Sequence, residues 1–197
     1  MPQGYNFLAE PNAVAAAVLS KSTWAVLGVT LMIELFTQTH YLKSIQPGSQ
    51  LSPLFKDVFL YHWKEESQHA RIDELEWVRE NVGLSAEERN QAVDEMIALV
   101  GAVDGIVNAQ AAADVGYFLS VKGAALSDQK VKLLHDQVLR AYRWQYILSG
   151  IEERRFQKVL SAMITGEQMR RIEAAVAPLI ASAAPTASAR VHPILEF

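Results

Sequence analysis

Helix-start signals recur along this chain of 197 residues, and they leave room for little besides long helices. Ser52-Pro53 sets a side-chain acceptor ahead of a proline at the first helical position, where the missing N–H costs nothing. Ser85 with Glu88 three residues later reads as a capping box, Ser127 as another cap, and Thr165 with Gln168 as a second box. No run of alternating apolar and polar residues competes with them. The first predicted helix runs from Asn12 to about Ile45, where Gln46-Pro47-Gly48-Ser49 supplies a turn. The second ends near Asn81, with Gly83 suited to the left-handed residue that follows a helix. The third ends near Val121 before Gly123, and the fourth runs from Ser127 to about Ile164. A shorter fifth should be stopped or kinked by Pro178.

Four long helices joined by short loops predict an all-α fold, a long four-helix bundle with a short C-terminal helix attached. Half of the residues are hydrophobic, enough for one domain with a sizeable core, assigned to residues 1–182. Residues 183–197 form an Ala/Ser/Pro-rich tail ending in Val191-His192-Pro193-Ile194-Leu195-Glu196-Phe197. The net charge of −4, without a Lys/Arg cluster, argues against nucleic acid as a partner. Ala13 to Phe36 is the most apolar stretch, but Lys21 and Glu34 within it argue for a bundle helix rather than a membrane span. With no targeting segment, the expectation is a cytoplasmic protein without membrane association. Cysteine is absent, so any metal must sit on nitrogen and oxygen ligands.

Several polar residues then stand where a bundle should be dry. On the second helix His62, Glu66, His69 and Asp73 fall at i, i+4, i+7 and i+11, one stripe that overlaps the apolar face. Glu34 is the only charge in Ala25 to Phe36, so hardly any rotation of its helix exposes it fully. Asp104 shares a face with Val100, Val107 and Ala111, while Tyr142, Tyr146 and Ser149 lie among apolar residues with Glu152 and Glu153 beside them. Reflecting positions through the turns of an up-down-up-down bundle places Glu34, Glu66, Asp104 and Tyr146 in one layer. Buried ionisable groups cost several kcal/mol each unless they pair or bind a cation, with roughly that magnitude for an unpaired carboxylate. Carboxylates converging with imidazoles suit a hard or borderline divalent metal.

Glu34 followed on the next helix by Glu65-Glu66-Ser67-Gln68-His69 resembles the first half-site of the ferritin-like di-iron carboxylate proteins, where one helix gives a Glu and the next Glu-x-x-His. His62, Glu66 and His69 also fit the His-x-x-x-Glu-x-x-His helix of the p-aminobenzoate N-oxygenase group. The resemblance covers the first two helices. It implies iron, with manganese or zinc as substitutes, dioxygen activation, and an oxygenase or oxidase acting on a small organic molecule. Its second half departs from the pattern: Asp104 stands where a Glu is usual, and the fourth helix has no Glu-x-x-His. That leaves open a mono-iron or a di-iron centre: a single metal on Glu34, Glu66 and His69, with His62 or Asp104 as a further ligand, and a second, weaker site completed by Glu153. Tyr142 or Tyr146 would serve as hydrogen-bond donor or electron source, and the small residues around Gly101 and Gly105 would shape a substrate cavity.

Beside these stand plainer readings. His62 alone is more often a satisfied core histidine than a ligand, and Asp104 is as easily the partner of a tyrosine or arginine. Tyr142 and Tyr146 read as core aromatics, and His40, His135 and His192 as ordinary. Asp73, Glu74 and Glu76 with Arg71 and Arg79 read as a solvated face supported by i,i+4 pairs. A homodimer is expected through an apolar flank carrying Trp24 or Trp144. The alternative to an enzyme is a non-catalytic helical scaffold that keeps the bundle around a degenerate metal site.

Overall fold

The computed structural model describes residues 3–123 and 126–183, and among these every regular element is helical. In chain order they are α1 (Pro11–Leu19), α2 (Thr23–His40) running on through a π-helical turn (Tyr41–Ile45), α3 (Pro53–Gly83) and α4 (Ala86–Lys122). Then come α5 (Asp128–Arg143), a second π-helical turn (Trp144–Leu148), α6 (Ser149–Ile151), α7 (Arg154–Met163) and α8 (Gly166–Ala183). The C-terminal segment from Val191 to Phe197, His192 included, lies outside the described residues.

Local capping chemistry sets most of these boundaries. Ser52 Oγ accepts from Phe55 N at 3.2 Å, and Ser85 and Glu88 close a reciprocal box at 2.8 and 3.2 Å. Thr165 and Gln168 do the same at 2.9 and 3.2 Å. Ser127 occupies its cap position, yet its side chain accepts no helical N–H. Gly123 ends α4 at φ 65°, whereas Gly83 is the last residue of α3 and has no positive φ.

Two predicted helices are divided. The first breaks at Ser20 to Ser22, where Ser22 caps α2 and its N–H donates to Glu95 Oε2 on α4 at 2.8 Å. The fourth passes through its π turn into α6 and stops at Glu152 and Glu153, the latter extended at φ −65°, ψ 126°. Just before the stop, Gly150 lies against α2, where a Cβ would collide with the carbonyl oxygen of Met32. Pro178, in contrast, does not end α8, because the carbonyl it strands belongs to Ala174, an exposed residue that water can serve.

Helix α2 is the hub. It packs on α3 along one side and on α4 and the π turn and α6 along others, while α4 packs on α5 and α8. The core is centred on Trp24 and Trp77, both fully buried with ring centroids 5.0 Å apart, and Trp77 stacks on Phe156 at 5.6 Å. Gly28 makes room for this: a Cβ would lie 2.7 Å from the Trp77 ring. Trp24 Nε1 donates to Asn81 Oδ1 at 3.1 Å, and Arg89 fastens the same asparagine. Trp24 is therefore part of the core and cannot carry an exposed flank. Among the described residues α4, rather than Ala13 to Phe36, is the one helix long and apolar enough to cross a membrane.

Candidate metal centre

The α2–α3 seam brings Glu34, Glu66 and His69 together. Each offers one ligand atom, and those atoms lie within 4.8 Å of one another. The register follows from packing: Phe59, Trp63, Ala70 and Trp77 face α2, and Glu66 falls on that same face. Gln38 clamps the seam here, its Nε2 donating to the Glu66 carbonyl at 3.2 Å. Glu34 and Glu66 side chains are only 15% and 13% exposed, whereas His62 and His69 stand at the shoulder at 45% and 49%. The Glu66 carboxylate is bracketed by imidazoles, with His62 Nδ1 3.0 Å from Oε1 and His69 Nδ1 3.0 Å from Oε2. His69 Nδ1 also lies 4.0 Å from Glu34 Oε2.

Two carboxyl groups this close make it costly to ionise both, a cost that a cation between them removes. Burial, then the hydrogen bond and charge of Glu66, push Glu34 up to about 8. Glu66 is held below its ordinary value, first by the hydrogen bond from Glu34 and then, against the cost of burial, by the two histidines. At neutral pH the pair thus carries a proton on Glu34 that a divalent cation would displace. Two carboxylates and an imidazole are the donors such a cation takes, so the residues fit the metal expected of them.

A pH dependence follows. Affinity for Mn²⁺, measured calorimetrically, is expected to rise by about tenfold per pH unit below pH 8, as one proton is displaced per ion, and to level off above it. The metal-free chain should show the opposite trend. Glu34 keeps its proton in the folded state up to about pH 8 but loses it near 4.5 when unfolded. Its stabilising contribution is therefore full below pH 4.5 and lost as pH rises to about 8. A flat affinity between pH 6 and 8 would contradict the shared proton.

The remaining candidates are distributed elsewhere. Asp104 is engaged by Arg143, whose Nε and Nη2 donate to its two oxygens at 2.7 and 2.9 Å. This is the plainer pairing of a carboxylate with an arginine, and Asp104 does not join the Glu34–Glu66–His69 group. An apolar cavity of about 290 Å³ does border Asp104, beside Gly28, Met32 and Gly101. Glu153 is the residue ahead of α7 and joins no carboxylate–imidazole group among the described residues. The Tyr142 hydroxyl donates to Asp114, and burial followed by that bond raises its pKa, so it stays a neutral donor. Tyr146 is 40% exposed and packs edge-on against Phe36 and Tyr142, each at 5.7 Å. Ser149 is buried and donates to the Gln145 carbonyl.

The solvated-face reading of Asp73 and Glu74 also changes. Asp73 is half-buried one turn beyond His69, and burial raises its pKa. Glu74 pairs with Arg71 at 3.1 Å and also binds Arg155, which ties α7 to α3, while Glu76 with Arg79 is an exposed pair. Gln38 and Arg155 carried no sequence signal beyond their polarity.

His62 opens onto a cleft of about 890 Å³ between α2, α3 and α5. Phe36, Phe59, Trp63, Tyr142, Trp144 and Tyr146 give it an aromatic lining, with His40, Gln137, Arg140 and Gln145 among its polar members. Burial lowers the pKa of His40. What fold and site define together is an all-helical protein with a half-buried carboxylate–imidazole group beside an aromatic cleft. The chain matches no family model, no curated protein and no solved structure.

Proposed function

We propose that this is a ferritin-like metalloprotein, a non-haem iron oxygenase or oxidase acting on a small organic molecule, in the cytoplasm and without nucleic-acid or membrane partners. The observation that carries the reading is the Glu34–Glu66–His69 group, two carboxyls that share a proton in a mostly buried seam. Such a pair is a liability for a scaffold and an asset for a cation site. Glu34, Glu66 and His69 would hold the metal, with His62 oriented by Glu66 as a further ligand. Iron suits this donor set, and manganese or zinc could replace it. When bound, iron would supply dioxygen activation. The protein's own part is to hold the ligands on two packed helices and to offer the aromatic cleft to a flat, largely apolar substrate.

One observation favours the alternative, a non-catalytic scaffold with a degenerate site. The second half-site is occupied by closed partnerships, Asp104 with Arg143 and Tyr142 with Asp114. The two readings separate in an oxygen electrode. Chain reconstituted anaerobically with Fe²⁺ and given ascorbate is expected to consume dioxygen faster than free Fe²⁺ at the same concentration. Rates equal to those of free Fe²⁺, with the metal bound, would assign the chain to the scaffold class.

A further inference from the structure

We propose that the aromatic cleft beside His62 takes its ligand as an anion, a flat organic acid of two or more fused rings whose carboxylate Arg140 holds. The proposal rests on the reading of Glu34, Glu66 and His69 as a metal centre only in saying which end of the acid would react. Arg140 lies on α5, is half-buried and lines the cleft. The other half-buried arginines among the described residues are all engaged: Arg89 by Asn81, Arg143 by Asp104, Arg155 by Glu74 and Arg171 by Asp94. Arg140 has no such partner. Its Nε is shut away without an acceptor, which leaves the two terminal nitrogens of the fork as the ones a ligand can reach. A half-buried guanidinium without an acceptor is costly, and its planar fork matches a carboxylate.

The surrounding charges leave that role open. Among the described residues that line the cleft none is acidic. Asp136, one helical turn before Arg140, is held by Lys132 at 2.7 Å, and Glu66 at the seam is bracketed by His62 and His69. Lys43, exposed and 5.9 Å from the centre of the Trp144 ring, adds positive charge beside the cleft. His40 Nδ1 and Trp63 Nε1 are buried in the same wall without partners, polar groups that a wholly apolar ligand would leave so. Size and lining define the body of the acid. The cleft of about 890 Å³ is several times the roughly 150 Å³ that takes one benzene ring. A single ring would leave most of the aromatic surface uncovered, whereas a fused-ring acid spans from Arg140 on α5 toward His62 on α3. The end far from the carboxylate is then the one presented to the metal centre.

Binding of the acid needs no metal, so the metal-free full chain serves for the test. Calorimetric titration with 2-naphthoate, 2-naphthamide and benzoate reads charge and size separately. The parent is expected to bind 2-naphthoate about 10–100-fold tighter than the neutral 2-naphthamide, the range of a charge-assisted bond. It should bind 2-naphthoate about tenfold tighter than benzoate, through the added ring surface. Arg140→Gln is expected to bring 2-naphthoate down to the affinity of 2-naphthamide, with an unchanged helical circular dichroism spectrum. Naphthoate and naphthamide bound equally by the parent overturn the proposal without recourse to a variant, as does a parent that binds no naphthoate at millimolar concentration. So does Arg140→Gln protein that binds naphthoate as the parent does. Benzoate or inorganic phosphate bound as tightly as naphthoate would mean an anion site without the extended aromatic body, and equally overturn it. A chain that shows the expected order but takes up no metal upholds the acid site and fails the metal centre alone.

Discussion

Replacing Glu66 by alanine is expected to abolish specific binding of divalent metal while leaving the helices intact. Glu66 is the element of the centre that touches every other: both histidines at 3.0 Å and the carboxyl of Glu34. Removing it takes away a carboxylate ligand and releases the imidazoles from their orientation. Loss of an orienting group alone typically costs 10–100-fold in affinity, so loss of a ligand that is also the orienting group should exceed about 100-fold. Folding should survive, because Glu66 makes no contribution to the Trp24–Trp77 core and Glu34 is left protonated rather than stranded as a charge. Titration calorimetry with Mn²⁺ and far-ultraviolet circular dichroism measure the two effects. A Glu66→Leu chain that binds Mn²⁺ as the parent does, and melts higher, would instead mark Glu66 as a buried structural cost.

The largest effect on stability is expected at Trp77. Its indole is fully buried, lies over Gly28, meets Trp24 and stacks on Phe156, so it joins α3 both to α2 and to α7. Trp77→Ala should cost about 3–5 kcal/mol through lost contacts and the cavity left behind. At roughly 2–4 °C per kcal/mol for a chain of this size, thermal unfolding should move down by about 10 °C. Trp77→Phe should lose far less. It keeps an aromatic ring in the stack and removes an Nε1–H that is buried without an acceptor. Equal losses for the two variants would mean that the ring is not what holds the seam. The Glu34–Glu66–His69 group lies on the same seam, so Trp77→Ala should also weaken metal binding, although it touches no ligand.

The parts of this architecture governed by near neighbours were legible in the sequence. The Ser52-Pro53, Ser85–Glu88 and Thr165–Gln168 starts are complete within four residues, and each forms the bonds its spacing predicts. Glu34 was legible as a lone charge in an apolar run, and the His62, Glu66, His69 stripe by helical periodicity. Both helices pack together, so both signals met at one place. What depends on distant contacts was not legible. The interruption at Glu152 and Glu153 follows a close approach of Gly150 to the Met32 backbone, and neither residue marks the other in sequence. Counting through turns puts Asp104 in the layer of Glu34. Counting gives height along a bundle but not the direction a side chain takes, and Arg143 on α5 supplied the closer partner. Tyr142 was likewise drawn away by Asp114. Trp24 carries no exposed flank, because it is consumed by the core that Asn81 and Arg89 help to lock.

The central claim is that Glu34, Glu66 and His69 form a metal centre, and elemental analysis of protein purified without chelator tests it most directly. After anaerobic incubation with Fe²⁺ and removal of free ion, the parent chain is expected to retain about one metal per chain, and Glu66→Ala almost none. The retained metal should also raise the unfolding temperature of the parent alone, since an ion that binds only the folded state must stabilise it. Less than about 0.2 metal per chain in the parent, unchanged by reconstitution and equal in Glu66→Ala, would contradict the account, because a folded centre with these ligands must hold its ion.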